Sequence, residues 1–393
     1  MKRLLVSCDD YIFVNNGHYY FKNSEWKEFY DRYLRVFDVI RICNRVIEEA
    51  ELNPSRVPIM DERIEIKPIP IFHGPYQYLS KFFAVGKAMR SATDGCDAAV
   101  LRLPSTVAQR LSRHVKHSRI PFAVEVVFDA HDGALAADSF ITRIIWYIID
   151  AQMKKTCYRA DGISCVTEKY LQKRYFSLKP NHFTSHYSTL SLNKSFYSNP
   201  RLFPDKKEFT IAHVDNQLCL NGRKGTKQVI DALFLLSQKN IFINAIFAGE
   251  DRGHNTQDIL DYAKRKGLTG RVSCPGYLSR IQLSNLLDSA DLFVLPTKAE
   301  GLPRVVIEAI AKGLPVVTSP VSGNPELISQ NYLVDYKDVE GIAAKIEALV
   351  TQKVLYEKAS YDNYHKSLEY ESSLLEARRD AFYSKLLAKC GLK

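Results

Sequence analysis

An α/β protein built from two doubly wound parallel-sheet domains is what the sequence predicts, on three observations. Short apolar runs such as 98–103, 122–127 and 292–295 have the pattern of strands buried on both faces, which is typical of parallel sheets. Stretches with helical spacing separate them, so strand and helix alternate along the chain. A length of 393 residues allows two domains of ordinary size. With 46% hydrophobic and 11% aromatic residues, the chain is a packed globular protein and not a disordered one.

Charge and cysteines narrow the partners and the setting. The formal net charge of +10 favours anions: nucleic acid, phosphorylated small molecules or an acidic membrane surface. Eight cysteines are scattered without a C-x-x-C pair, which predicts neither a zinc site nor a disulfide framework and suits a reducing cytoplasm. The opening MKRLLVSCDD has an apolar run too short for a signal peptide. No stretch approaches the about 20 apolar residues that a spanning helix needs.

The first domain is expected over 1–195. Its strands are read at 4–8, 38–44, 98–103, 122–127 and 161–167, with an extended segment at 67–72. Helices are expected over 26–36, 78–91, from Pro104 to about 118, and over 170–175. A loop with Asn15, Asn16 and Gly17 follows the first strand. The strand 122–127 ends in Phe128-Asp129-Ala130-His131-Asp132. Ile141, Ile144, Ile145, Ile148 and Ile149 follow helical spacing and are expected to pack in the core; Trp146 and Tyr147 could instead mark a membrane-touching face. Residues 181–195 cross between the domains.

The second domain is expected over 205–369. Strands are read at 209–214, 241–248, 271–275, 292–295 and 314–318, and helices at 226–237, 258–266 and 284–290. The segment 370–393 is expected to pack back on the first domain. The richest stretch is 291–328, DLFVLPTKAEGLPRVVIEAIAKGLPVVTSPVSGNPELI. It parses as strand, turn, helix, strand, turn, helix, with Pro303 expected in the first helical turn, where a missing N–H costs nothing. Helix starts at the carboxyl ends of parallel strands are where such sheets bind ligands, and their free N–H groups suit phosphate. Glu300 and Glu308 are eight residues apart, about 80° past whole helical turns, so both can flank one pocket. Carboxylates repel phosphate and grip sugar hydroxyls, so a nucleotide-sugar fits the combination. No G-x-G-x-x-G follows a strand, and no Ser–His–Asp order appears.

The run E-G-L-P-R-V-V-I-E-A, then A-K-G-L-P-V-V-T-S and S-G-N-P-E-L-I, closely resembles the signature of retaining family-4 (group 1) glycosyltransferases of the GT-B fold. The segment R-L-P…I-P-F-A-V-E-V-V-F-D is similar to amino-terminal domains of bacterial surface-polysaccharide glycosyltransferases. The resemblance implies two Rossmann-like domains facing a cleft, acceptor on the first and donor on the second. It implies that Glu300 grips the transferred sugar, Glu308 the ribose, and Lys224 in Arg223-Lys224-Gly225 the donor diphosphate. Gly301, Leu302 and Pro303 supply the helix start, Tyr277 and Leu278 hold the base largely by backbone, and Gly249 and Gly17 line the donor. Asp129 and His131 are the acceptor-side candidates. The family's Gly-Arg after the first strand of the second domain reads Ala212-His213 here, which leaves His213 or Arg223 to replace the arginine charge.

The reading is therefore a retaining, metal-independent glycosyltransferase without a cofactor. It takes a nucleotide-diphosphate sugar and a carbohydrate, lipid-linked acceptor in surface-polysaccharide assembly, and no nucleic acid. Two alternatives remain: a nucleotide-sugar 2-epimerase of the same fold, and a non-catalytic subunit that binds the sugar nucleotide. Arg110, Arg113, His114, Lys116, His117 and Arg119 crowd one helix and its end, with Lys169, Lys173, Arg174 and Lys179 further on. They form either a solvated face or a surface for peripheral docking on anionic lipid at the cytoplasmic side.

Overall fold

The computed structural model describes every residue except Asp138, Ser191, His254, Leu392 and Lys393, and gives only the backbone of Pro75. The last two lie at the end of the segment expected to pack back on the first domain. The chain divides into two compact units. Unit 1 holds Met1–Ala134, Ser139–Tyr187 and Glu376–Lys393; unit 2 holds Leu135–Asp138 and Ser188–Leu375.

Unit 1 is built on a ten-stranded sheet. Its strands are β1 (Arg3–Ser7), β2 (Tyr11–Asn15), β3 (His18–Phe21), β4 (Val39–Glu48), β5 (Val57–Pro58), β6 (Ile64–Ile69), β7 (Ala98–Leu103), β8 (Phe122–Val126), β9 (Gly162–Cys165) and β10 (Phe183–His186). The order is β10-β9-β8-β7-β1-β4-β2-β3-β5, with β6 also on β4. β1 and β7 to β10 pair in parallel and are almost wholly buried up to β9, which explains their unbroken apolar runs. The loop expected after the first strand is instead a hairpin. β2 and β3 pair antiparallel around Asn16 and Gly17, both at positive φ (47° and 80°). An Asn-Gly pair is suited to that turn, which gives Gly17 its role in this structure.

The crossovers from β7 to β8 and from β8 to β9 carry the helices Thr106–His117 and Phe140–Cys157. Both join parallel neighbours in one direction, so right-handed crossing puts them on the same face of the sheet. On the other side of β8, Glu125 is buried and accepts hydrogen bonds from three tyrosine hydroxyls: Tyr33 (3.1 Å), Tyr187 (2.9 Å) and Tyr383 (2.6 Å). Burial raises the pKa of this carboxyl. The charges of Arg32 and Arg102 and the tyrosine hydroxyls outweigh burial and hold it below the usual glutamate range. Tyr383 lies on the helix Ser372–Ala388, so a charged hydrogen bond fastens the end of the chain to the centre of unit 1.

Helix Phe140–Cys157 corrects one expectation. Ile141, Ile144, Ile145 and Ile148 are exposed, at 72%, 42%, 36% and 52%, and do not form core. The inward stripe runs through Trp146, Asp150, Met153 and Cys157, a different face of the same helix. Both faces are apolar over the first half, so periodicity alone does not tell which one turns inward.

Unit 2 has a five-stranded parallel sheet: β11 (Phe209–Gln217), β12 (Ile243–Glu250), β13 (Val272–Gly276), β14 (Leu292–Leu295) and β15 (Val316–Thr318). The order is β13-β12-β11-β14-β15, so the winding direction reverses between β11 and β14. Helix Lys353–Ser367 closes the other end of this sheet: Ser360 Oγ donates to the Gly313 carbonyl (2.6 Å), and Tyr356 to that of Asp291 (3.1 Å). The helix expected from 284 starts four residues earlier, at Arg280. Ser279 caps it by accepting from the Gln282 N–H, while the Gln282 side chain bonds back to the Ser279 N–H.

Candidate functional site

Where the winding of a parallel sheet reverses, the loops at the carboxyl ends of the two central strands part and leave a crevice. In unit 2 those strands are β11 and β14. The loop after β11 ends at Gly225, whose φ of 74° is left-handed and opens the helix Thr226–Ser237. A Cβ on Gly225 would stand 2.3 Å from the Pro296 carbonyl oxygen. Only glycine lets this turn lie so close to the end of β14. The Lys298 N–H then donates to the Arg223 carbonyl (2.9 Å) and stitches the two loops together.

This approach buries Lys224 beside Glu300, each 6% exposed, and the Lys224 ammonium forms an ion pair with Oε1 of Glu300. The Thr297 hydroxyl donates to the same oxygen (3.1 Å). Asp215, near the carboxyl end of β11, feels the charge of Lys224. Burial raises its pKa against the pull of Lys224. Neither Thr297 nor Asp215 is singled out by the sequence, although Thr297 lies just past β14 and Asp215 lies in the last residues of β11.

The next helix starts at Arg304, one residue later than expected. Pro303 occupies the capping position (ψ 112°), and its carbonyl accepts from Val306 (3.1 Å) and Ile307 (3.3 Å). Gly301 and Leu302 are buried ahead of it, and the Gly301 carbonyl accepts from the Gly323 N–H (3.0 Å) of the following loop. Glu308 lies on the helix Arg304–Ala311 and is 9% exposed. Gly249 is buried at the end of β12, where a Cβ would meet the Asp215 carbonyl oxygen at 2.4 Å. Tyr277 is 73% exposed, and Leu278 lines a shallow apolar cavity with Pro275 and Leu286.

His213 does not replace the expected arginine charge. It is fully buried in β11, with Nδ1 2.8 Å from the Val294 carbonyl and Nε2 3.3 Å from the Thr226 hydroxyl. A carbonyl only accepts, so Nδ1 carries the proton. Burial pushes the pKa down to about 4, and the charge of Lys224 adds to that push. The ring is neutral and pins β11 to β14. Arg223 is exposed and holds no ion pair with the described residues. It is therefore the cation of this loop that is open to an anion.

In unit 1 the two acceptor-side candidates differ. Asp129 is fully enclosed. It accepts from Tyr175 (2.9 Å) and the His131 N–H (3.0 Å) and approaches Arg174 Nε at 2.9 Å, an ion pair whose geometry is too oblique for a hydrogen bond. Its carboxylate positions the start of the helix Ala130–Leu135 and does not reach solvent, which corrects the expectation of a direct catalytic role. His131 is half-buried against the Tyr147 ring, and its Nδ1 has no partner among the described residues. Asp10, not singled out in the sequence, is buried just past β1, where the winding of this sheet reverses. Burial raises its pKa to about 7.

Residues 201–366 match the family of group 1 glycosyl transferases. Over 355 residues the chain is 23% identical to the protein CapJ of Staphylococcus aureus, covering 89% of this chain and 87% of that one. Over 202 residues it is 24% identical to the Escherichia coli UDP-Gal:alpha-D-GlcNAc-diphosphoundecaprenol alpha-1,3-galactosyltransferase, covering 50% of this chain and 51% of the relative. The sucrose-phosphate synthase of Thermosynechococcus elongatus has the same fold, with a TM-score of 0.72 at 14% identity over 99% of this chain and all of that one. The architecture is GT-B. Unit 2 is thus similar to group 1 glycosyl transferases, with the Lys224–Glu300 pair inside the matched segment.

Two outcomes follow from this geometry. Lys224→Ala is expected to destabilise unit 2 by about 3–5 kcal/mol, because Glu300 stays buried without its counter-charge. The double variant Lys224→Met/Glu300→Leu should recover most of that loss. Denaturant unfolding checks both; equal losses in the single and double variants would show that the pair does not carry the coupling.

The second outcome concerns acid. Below pH about 6.5 unfolded His213 takes up a proton that the folded site refuses until about pH 4. The folded state then binds fewer protons, so stability falls as pH drops through that window, by about 3 kcal/mol in all. His213→Asn, which keeps a donor for the Val294 carbonyl, should flatten this dependence in unfolding curves taken from pH 7 to 4.

Proposed function

We propose that the protein transfers a sugar, with retention, from a nucleotide-diphosphate donor to a lipid-linked carbohydrate in surface-polysaccharide assembly, without a metal ion. The observation that carries this reading is the buried Lys224–Glu300 pair at the carboxyl ends of β11 and β14, beside the start of the helix Arg304–Ala311. The leaving diphosphate gains negative charge as the glycosidic bond breaks. A lysine in a low-dielectric crevice and helix N–H groups stabilise that charge more strongly than water does. Glu300 already neutralises part of the lysine in the free protein, so exposed Arg223 supplies the additional cation.

The roles of the carboxylates are those the resemblance implies. Glu300 accepts from hydroxyls of the transferred sugar while it orients Lys224, and Glu308 accepts from the ribose hydroxyls. Retention proceeds by attack on the face from which the leaving group departs, with a phosphate oxygen taking the acceptor proton. His131, half-buried at the start of the helix Ala130–Leu135, orients the acceptor. The lipid-linked acceptor is supported by the E. coli relative, whose name specifies a diphosphoundecaprenol-linked sugar. Such an acceptor calls for peripheral contact with a membrane. Among the described residues no helix is long and apolar enough to cross one.

Isothermal titration against UDP, GDP and ADP tests the donor site and identifies the base. Glu308→Ala is expected to weaken the preferred nucleotide by about 1.5–3 kcal/mol, the contribution of a charged hydrogen bond. Arg223→Ala should weaken it to a similar degree, while His213→Asn leaves it unchanged. Unaltered affinity in folded Glu308→Ala and Arg223→Ala variants would remove both residues from the site.

A further inference from the structure

Five cations of unit 1 converge on one cavity at the amino ends of β8 and β9, the opposite edge of the sheet from the loop that holds His131. Its volume of about 410 Å³ is within the range of small-molecule sites. Lys116 and Arg119 come from the end of the helix Thr106–His117, and Arg159 from the turn before β9. Lys179 comes from the turn before β10, and Lys389 from the short helix Lys389–Gly391. Pro121 and Phe122 give the cavity an apolar floor. The sequence places Lys116, Arg119 and Lys179 in two separate basic clusters. Arg159 and Lys389 join them only through the order of the strands and the return of the last helix.

Little in the cavity answers this charge. Asp161 is its one lining carboxylate, and both of its oxygens are engaged: Oδ1 accepts from Lys179 Nζ (3.0 Å) and Oδ2 from the Phe122 N–H (2.9 Å). Lys389 donates to the Asn181 carbonyl (3.2 Å), which is neutral and leaves the ammonium charge in place. Lys116, Arg119 and Arg159 have no ion pair among the described residues. Three helices end here, Thr106–His117, Phe140–Cys157 and Ser372–Ala388, and the terminal carbonyls of each carry about half a negative charge. Together with Asp161 they offset about half of the five positive charges and leave the rest to a ligand. Arg119 adds a backbone sign. Its φ of 56° is left-handed, at a position past a helix end where glycine or asparagine is favoured. The strained turn delivers a guanidinium to the cavity, and with Arg159 it offers two planar forks matched to phosphate oxygens.

We infer that this cavity is a second anion site, in unit 1, for a small soluble molecule that carries a diphosphate. Two linked phosphates match a surplus of more than one positive charge supplied from four separate segments. The body of such a molecule packs on the apolar floor. The lining reaches down to Phe122, 3% exposed, which a free anion can approach and the flat surface of a bilayer cannot. A ligand held by Arg119, Arg159 and Lys389 ties the end of the chain to the amino ends of β8 and β9. Binding to the folded state alone then stabilises it by mass action.

The test is isothermal titration of the full chain with inorganic pyrophosphate, with sulfate at equal ionic strength as the control. Arg119→Gly/Arg159→Gln should weaken pyrophosphate about tenfold or more for each charge removed, the loss expected of charged hydrogen bonds. Lys116→Gln/Lys389→Gln, on two other segments, should weaken it to a similar degree. Glycine relieves the left-handed residue, so the denaturant midpoint of Arg119→Gly should stay level or rise, which separates lost binding from lost folding. Arg223→Ala, in unit 2, should leave this binding in place. Pyrophosphate binding that Arg223→Ala abolishes and Arg119→Gly/Arg159→Gln leaves unchanged belongs to the crevice of unit 2 and overturns the proposal. So does the absence of pyrophosphate binding, an equal affinity for sulfate, or binding to phosphatidylglycerol vesicles without binding of free pyrophosphate.

Discussion

The candidate site of unit 2 depends on one buried ion pair, Lys224 with Glu300. Two charges are costly to take out of water, and they stay buried only when each compensates the other at close range. The fold meets that condition through Gly225, whose left-handed φ and missing Cβ let the lysine-bearing turn touch the end of β14. Neutral His213 reinforces the same junction from beneath, bridging β11 to the Val294 carbonyl of β14. Stability and chemistry share this pair. In the proposed reaction the ammonium that offsets Glu300 in the free protein also meets the diphosphate.

Unit 1 treats its buried acids differently. Glu125 is satisfied by three tyrosines and serves as the anchor for the last helix. Asp129 is held between Tyr175 and Arg174, and the His131 N–H rests on it. A carboxylate that is fully enclosed and doubly engaged is poorly placed for acid–base work on a substrate, whereas it fixes the direction of its neighbour well. His131 is half-buried, and its Nδ1 is enclosed without a partner among the described residues.

Much of the fold was legible because buried parallel strands write themselves as unbroken apolar runs. Ala98–Leu103 and Leu292–Leu295 were placed to the residue, as was the helix Thr226–Ser237. The loops holding Lys224 and Glu300 were legible for a related reason: glycine and proline punctuate them, and each follows such a run. The misses have physical causes. Asn16-Gly17 signals the hairpin of β2 and β3, but a glycine after the first strand of such a domain fits a ligand loop equally well. β10 is an edge strand without a buried residue, so it has no apolar run to announce it. The outward stripe of the helix Phe140–Cys157 is as apolar as a core-facing one, and only tertiary packing distinguishes them. The neutral state of His213 depends on burial, which sequence does not state.

The central claim is that Lys224, held by Glu300, is the cation that receives the donor diphosphate. A crystal structure of the protein with its preferred nucleoside diphosphate tests this most directly. The account predicts a phosphate oxygen within about 2.7–2.9 Å of the Lys224 ammonium, the distance of a charge-assisted hydrogen bond, at the crevice between β11 and β14. A diphosphate bound elsewhere, with Lys224 still engaged by Glu300 alone, would contradict it.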